Sequence, residues 1–466
     1  MSARHSKKVK IKWGRFLLAV FVIAAGIGAL FYFNPFAPKE PVLPPPVPKM
    51  PAQSASEDIG AAPKGQELLI RCAGDIMAHM PQVNAAKTGN TYDFYDNYKY
   101  VEKYFKEADL MLANFETTFS GDGTYSGYPG FDSPDILTTQ VKSAGVNVAL
   151  FANNHMLDTR LKGARRTVNL LKKQGYLAVV GAREETTDPR SAVVEVKGVK
   201  VGLVAYTYET RLVNGRRTMN GSYMENDAPK YINSFRYNGA DINAEDLNSI
   251  KSEIKWCKDN GADLVICYFH WGTEYRQSPD AADQKLAKFA AENGADIIFA
   301  SHPHVVQPVK TINVEAQLKE VQREQPEPAA YGEIVRPSKA ETKTTYTKTV
   351  PIYYSLGNFI SNQRYESLGS VYGETTARRT EQGLIGNVRI SYNKETGKVT
   401  YEEISCIPTW VDRFSSGGRT YYYTVPLLGK FASSAPFTTS GHGSRATSAL
   451  SAITKLIGEQ YIYKVQ

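Results

Sequence analysis

Five of the chain's seven histidines stand in short polar motifs, each placed where an apolar run ends. His79 follows residues 68–75 (LLIRCAGD), which close on Asp75. His155 closes 147–155 (NVALFANNH), beside Asn154. His270 closes 263–270 (DLVICYFH), and His302 and His304 close 296–304 (DIIFASHPH). Two more runs end in Glu116 (109–116, DLMLANFE) and at Asn358 (350–359, VPIYYSLGNF). Neutral imidazole, carboxylate and amide oxygen are common ligands of divalent transition metals. Open α/β sheets carry their sites beyond the carboxyl ends of the strands. Residues scattered in sequence but matched in local context therefore predict one metal site. Its ligands would be Asp75, Glu116, Asn154, His270, His302 and His304.

Local context assigns the neighbouring roles. Asp158, three residues after His155, can orient that imidazole as an acceptor. The competing role for Asp158 is a helix cap. Trp271-Gly272 reads as a tight turn that aims His270 inward. His302 and His304 flank Pro303. An extended backbone would put both rings on one side, and the proline is expected to hold it extended. Ser355 and Asn358 lie in a glycine-containing turn and are read as substrate-binding or backbone-positioning residues.

Six motifs carry a resemblance: 74–77 (GDIM), 114–116 (NFE), 153–158 (NNHMLD), 270–275 (HWGTEY), 301–308 (SHPHVVQP) and 354–359 (YSLGNF). In this order they resemble the CapA-like poly-γ-glutamate capsule biosynthesis proteins, whose domain is similar to the calcineurin-like metallophosphoesterases. The resemblance spans about residues 66–412. It implies an α/β layered sandwich of mixed sheets flanked by helices, and one or two divalent ions (manganese, iron or zinc). It also implies that His155, in an Asn-His pair with Asn154 and oriented by Asp158, serves proton transfer, and that the protein works on poly-γ-glutamate beside membrane-bound synthase or export subunits. Two departures stand out. Met77 occupies the histidine position of the phosphoesterase Asp-x-His motif, and methionine is a poor ligand for hard divalent metals; His79, two residues on, is the alternative. Glu116 replaces the aspartate of the second motif. Metal-dependent hydrolysis of a phosphoester or amide and non-catalytic handling of the polymer both remain open, as does a scaffold whose histidines only brace the strand ends.

The elements that must position these residues alternate in type. Junctions at 143–148 (SAGVNV), 260–265 (NGADLV) and 293–298 (NGADII) each place a glycine where a helix ends and then start a β-branched run. Leu247, Ile250, Ile254 and Cys257 mark one helical face. This βα repetition predicts a partly parallel sheet. Residues 191–208 read as a hairpin turning at Lys197-Gly198. Residues 209–245 read as a surface excursion near the site, 311–349 as a polar insertion between two site strands, and 413–466 as a C-terminal extension. Cys72 and Cys267 are either paired or simply small buried hydrophobes.

Composition adds topology. The 466 residues are 42% hydrophobic and carry a formal charge of +8. Six of those positive charges (Arg4, Lys7, Lys8, Lys10, Lys12, Arg15) lie in residues 1–15, which hold no acid. The basicity is therefore a flank, and no nucleic-acid surface is expected. Residues 16–33 are uncharged, long enough at roughly 27 Å to cross a bilayer as a helix, and closed by aromatic residues. They read as an uncleaved signal-anchor, with the N-terminus cytoplasmic and the remainder extracellular. Residues 34–65 read as a proline-rich linker.

Overall fold

The computed structural model describes residues 65–318 and 345–465. The expected anchor at 16–33, its basic flank and the linker 34–65 lie outside the described residues, save Gly65. No helix among the described residues is long and apolar enough to cross a membrane.

The described chain opens with β1 (Gln66–Ile76), β2 (Leu110–Phe115), α1 (Ile136–Ser143), β3 (Val148–Leu150), α2 (Arg160–Lys173) and β4 (Ala178–Val180). It continues through β5 (Val199–Val213), α3 (Ala244–Asp259), β6 (Leu264–His270), α4 (Ala281–Glu292), β7 (Ile297–Ser301), β8 (Val309–Gln317) and β9 (Thr345–Tyr353). It closes with β10 (Asn358–Ile360), β11 (Gln382–Tyr392), β12 (Val399–Ser416), β13 (Arg419–Pro426) and α5 (Gly443–Ile457).

Two large mixed sheets result. The first runs β13-β12-β11-β1-β2-β3-β4, with β10 also joined to β1. Its β1–β4 half is parallel and its β11–β13 half antiparallel. The second sets β5, β6, β7 and β9 side by side in parallel, with β8 antiparallel at the edge. Strands buried on both faces read as continuous apolar runs, and β6 is buried at all seven positions. Its alternate residues serve different layers. Ile266 and Tyr268 join Ile70, Leu112 and Leu150 in a core between the sheets. Val265, Cys267 and Phe269 pack outward with Ile250 and Ile254 of α3 and Leu286 and Ala290 of α4. On the far side, Met111 and Ala149 meet Val141 of α1 and Val168 and Leu171 of α2. The layers are therefore helix, sheet, sheet, helix.

The turn at Lys197-Gly198 is present, with φ of 50° and 72°, which suits a two-residue hairpin. The three junction glycines have φ of 118°, 84° and 113°, a region open to glycine. Two expectations need correction, and one open alternative is decided. The boundary at residue 412 falls inside β12, so the first stretch of the extension belongs to the first sheet. Both ends of the 311–349 segment are strand, because β8 and β9 pair from Val309–Tyr353 to Gln317–Thr345; residues 319–344 lie outside the described residues. Cys72 and Cys267 are buried free thiols; Cys72 faces the inter-sheet core and Cys267 the opposite layer, which keeps them from pairing.

Candidate metal centre

The carboxyl ends of both sheets meet at one edge. β1 brings Asp75 there through a change of partner. Residues Gln66–Ala73 pair with β11, whereas Asp75 pairs with Asn358 of β10. Gly74 makes the crossing possible, since a Cβ there would collide with the Gly357 carbonyl. Glu116 follows the last residue of β2, Asn154 and His155 follow β3, His270 ends β6, and His302 and His304 follow β7. Asp75, Glu116, His270, His302 and His304 are all buried.

Side-chain atoms converge in two overlapping groups. Asp75, Glu116 and His270 form one, and Glu116, His302 and His304 the other, each offering ligand atoms within 4.8 Å of one another. His270 Nε2 lies 2.9 Å from Asn154 Oδ1 and 3.4 Å from Glu116 Oε1. His304 Nδ1 lies 3.7 Å from Asp75 Oδ2, and its Nε2 lies 4.0 Å from Glu116 Oε1. The six residues expected as ligands thus stand together at one edge.

Their electrostatics favour a cation. Burial, and then the neighbouring Asp75 charge, push the Glu116 carboxyl well above its usual value. Burial also pushes Asp75 up, but the adjacent His304 and His270 imidazoles and the Asn114 hydrogen bond outweigh it and hold Asp75 below its usual value. Burial depresses His270 to about 3 and His302 well below the usual imidazole value. These two rings are therefore neutral at pH 7, as metal ligands must be. Both Glu116 oxygens and the Nδ1 atoms of His302 and His304 are buried without a hydrogen-bond partner. Buried polar atoms are nearly always partnered, so this concentration at one point marks a place built for something else. Two buried carboxylates among neutral imidazoles, with oxygen and nitrogen donors only, fit manganese, iron or zinc.

Beside this cluster His155 Nδ1 sits 2.7 Å from Asp158 Oδ2, and Asp158 also accepts the Phe131 backbone N–H at 2.6 Å. The imidazole is thereby fixed in orientation. Ser355 and Asn358 are fully buried. The Gly357 N–H donates to Ser355 Oγ across the turn, and Asn358 Nδ2 donates to the backbone carbonyls of His304 and Thr380. These bonds brace the strand ends, in keeping with backbone positioning, and Asn358 Oδ1 is left buried without a partner. Met77 is buried in the core, and His79 stands apart from both ligand groups, its ring against Phe131 and its Nδ1 beside the Asn362 amide.

The 302–304 segment is not extended. His302 has φ of 102° and His304 of 54°. Such angles are strained for a residue with a side chain and persist where the surroundings impose them. The surroundings here include the Asp75 carboxylate, 3.3 Å from the His302 amide, and Tyr208, whose ring centre is 4.6 Å from that of His302.

A family model described as bacterial capsule synthesis protein PGA_cap matches residues 70–363, a span that contains all six motifs. The chain belongs to this family. The capsule biosynthesis protein CapA of Bacillus anthracis is 30% identical over 253 residues, 52% of this chain and 56% of that protein. The PGA biosynthesis protein CapA of Bacillus subtilis (strain 168) is 29% identical over 225 residues, 46% of this chain and 53% of that protein. The chain thus spans about half the length of the curated relatives it matches.

In this member of the capsule synthesis family, several residues act at the edge without having been singled out from sequence. Asn114 donates to Asp75 Oδ1 at 2.7 Å and reaches within 3.4 Å of His270 Nδ1. Asn153 donates to Asn114 Oδ1 at 3.1 Å and to the Phe115 carbonyl at 2.8 Å. Both stand inside quoted motifs, and a buried Asn in an apolar strand is itself a signal of a polar neighbour. Asn220, 3.3 Å from His155 Nδ1, comes from the 209–245 excursion, and no local pattern announces it.

Proposed function

We propose that this protein is a membrane-anchored extracellular component of poly-γ-glutamate capsule synthesis, export or attachment that works through a divalent-metal pocket. Family membership and the printed names of the relatives support the capsule role. The observation that carries the pocket is the set of buried, unpartnered Glu116, His302 and His304 atoms beside Asp75, His270 and Asn154. The two-sheet body with its site at the carboxyl edge has the plan of the metallophosphoesterases named above. A bound divalent ion would supply concentrated positive charge for a polymer carboxylate or a polarised oxygen. The chain's own residues hold that ion, exclude water from its far side, and keep His155 oriented at the rim. Membrane-bound synthase or export subunits are the proposed partners, reached through the signal-anchor of residues 16–33.

The test has two parts. Full-length purified protein is assayed for bound metal and for binding of poly-γ-glutamate oligomers with and without a chelator. A deletion strain is scored for surface polymer. Metal-dependent binding and lost surface polymer are expected; unchanged surface polymer together with no metal-dependent binding overturns the reading.

The second reading is a metal-dependent phosphoesterase or amidase acting on another cell-surface polymer. The His155–Asp158 pair favours it, because an oriented imidazole next to a metal edge is equipped to give a proton to a leaving group. Turnover of phosphodiester or γ-glutamyl substrates that is lost in His155→Ala at unchanged metal content would decide for it.

A further inference from the structure

A cleft of about 430 Å³ opens beside the metal edge. Three segments line it: Tyr128–Gly130, the Asn154–Arg160 stretch, and Met219–Glu225 from the excursion. Its floor holds Asn154, a residue 1% exposed whose Nδ2 is buried without a partner. That donor is left over after Asn154 Oδ1 has met His270. Its upper part is different. Tyr128 is 71% and Tyr223 46% exposed, unusual for aromatic rings from two separate segments that line one cleft. Met219, Met224 and Leu157 add apolar lining.

A cation joins the lining. The Arg160 side chain is 77% exposed and pairs with Glu225 at 3.9 Å. Glu225 is itself engaged by the Leu161 backbone N–H at 2.6 Å. Arg160 adopts φ of 64°, a conformation that an arginine accepts only at some cost. Arg216 stacks its guanidinium 4.3 Å over the Tyr223 ring. Asp158, the other acid of the cleft, is committed to His155.

We propose that this cleft is the channel that guides a poly-carboxylate chain to the metal edge. Tyr128 and Tyr223 hold its planar amides and methylenes, Arg160 takes a side-chain carboxylate, and Asn154 Nδ2 donates to a carbonyl or carboxylate oxygen at the floor. The inference rests on the functional reading above and deepens it by naming the residues that recognise the chain. A neutral glycan would use the tyrosines and ignore the arginine; a lone phosphate would use the arginine and ignore the tyrosines. A chain of amides and carboxylates uses both.

The experiment measures binding of poly-γ-glutamate oligomers to the full-length protein, with dextran as neutral control and inorganic phosphate as competitor. The variants are Tyr128→Ala/Tyr223→Ala, Arg160→Ala and Arg160→Lys, each checked for unchanged metal content. Weakening of about tenfold is expected for the tyrosine pair and for Arg160→Ala, the scale of one stacking or charge contact. Arg160→Lys should recover part of the loss, and Arg160→Ala, unlike the tyrosine pair, should lose part of its salt dependence. Arg160→Gly, which relieves the backbone conformation, should bind as weakly as Arg160→Ala while melting no lower than wild type. A wild-type protein that binds no polymer overturns the functional reading and the channel with it. Wild-type binding that all these variants match overturns the channel alone. Dextran binding lost in the tyrosine variant, or phosphate competition that acts equally with and without those rings, assigns the cleft to another ligand and also overturns it.

Discussion

At the residue scale, the candidate centre is defined by what each side chain has left unpaired. His302 and His79 both follow apolar strands, yet they have opposite fates. His302 Nδ1 has no partner and its ring is within 4.9 Å of His270, whereas His79 is occupied by Phe131 and the Asn362 amide. His302→Ala should therefore lower metal content severalfold, the usual cost of losing a ligand or its support. His79→Ala should leave it unchanged. Elemental analysis of the two variants checks this, and equal metal loss in both would discredit the ligand set. Asp283 gives a second residue-level outcome, away from the centre. Burial pushes its carboxyl from 3.8 up to about 7, while Tyr237 Oη–H donates to it at 2.7 Å. The unfolded chain releases this proton near pH 4 and the folded chain near pH 7. Between those values folding takes up a proton, so the group costs stability progressively as pH rises, and the cost is complete above pH 7. Asp283→Asn should thus gain thermal midpoint relative to wild type at pH 8 more than at pH 5. A difference that does not change with pH would mean the carboxyl titrates normally.

At the element scale, what could be read from sequence was what is local. Apolar runs such as 263–270, glycine junctions, the Lys197-Gly198 turn and the Ile250–Ile254–Cys257 face each depend on neighbours within a few residues, and each appears in the structure. Three things depended on distant contacts. β12 crosses residue 412 because β13, rich in Tyr and Thr, supplies a pairing strand, and no signal within the 413–466 segment says which sheet edge is free. Asn220 reaches His155 from a hairpin 65 residues away in sequence. The His302–His304 backbone takes positive φ although Pro303 argues for an extended predecessor, because Asp75 binds the His302 amide and tertiary contacts outweigh a local preference. The cysteines follow the same logic from the other side. Strands that end at one site looked like neighbours, but Cys72 and Cys267 alternate onto different layers. Thiol titration in denaturant without reductant should count four free thiols per chain; a count of two would mean that the strands carrying these cysteines pack otherwise.

At the scale of the whole molecule, the two sheets meet at their carboxyl edge through polar side chains that are only partly paired. Asp75 and Glu116 come from the first sheet, and His270, His302 and His304 from the second. Asp75 is compensated by its imidazole and amide neighbours, but the Glu116 carboxyl is buried without a partner, so this edge carries a desolvation cost that its attractions do not fully meet. Elsewhere the sheets are held by the apolar core between them, with Tyr268, Phe299, Leu112 and Ile70 among its members. The proposed ion would turn the weak edge into a cross-link between sheets. An ion that binds the folded chain and not the unfolded one adds stability of RT ln(1 + [M]/Kd), about 2.7 kcal/mol at a hundredfold excess over Kd. Chelation should therefore lower the melting temperature of the full-length protein, and graded addition of manganese or zinc should restore it with a logarithmic dependence on free metal. His302→Ala should flatten that dependence, since it takes one of the ligands the second sheet supplies, while Asp283→Asn should keep it. A wild-type midpoint that chelator and metal both leave unmoved would mean that the edge is stable without an ion, and the buried Glu116 would then have to be protonated at neutral pH, a state visible in its carbonyl stretching band.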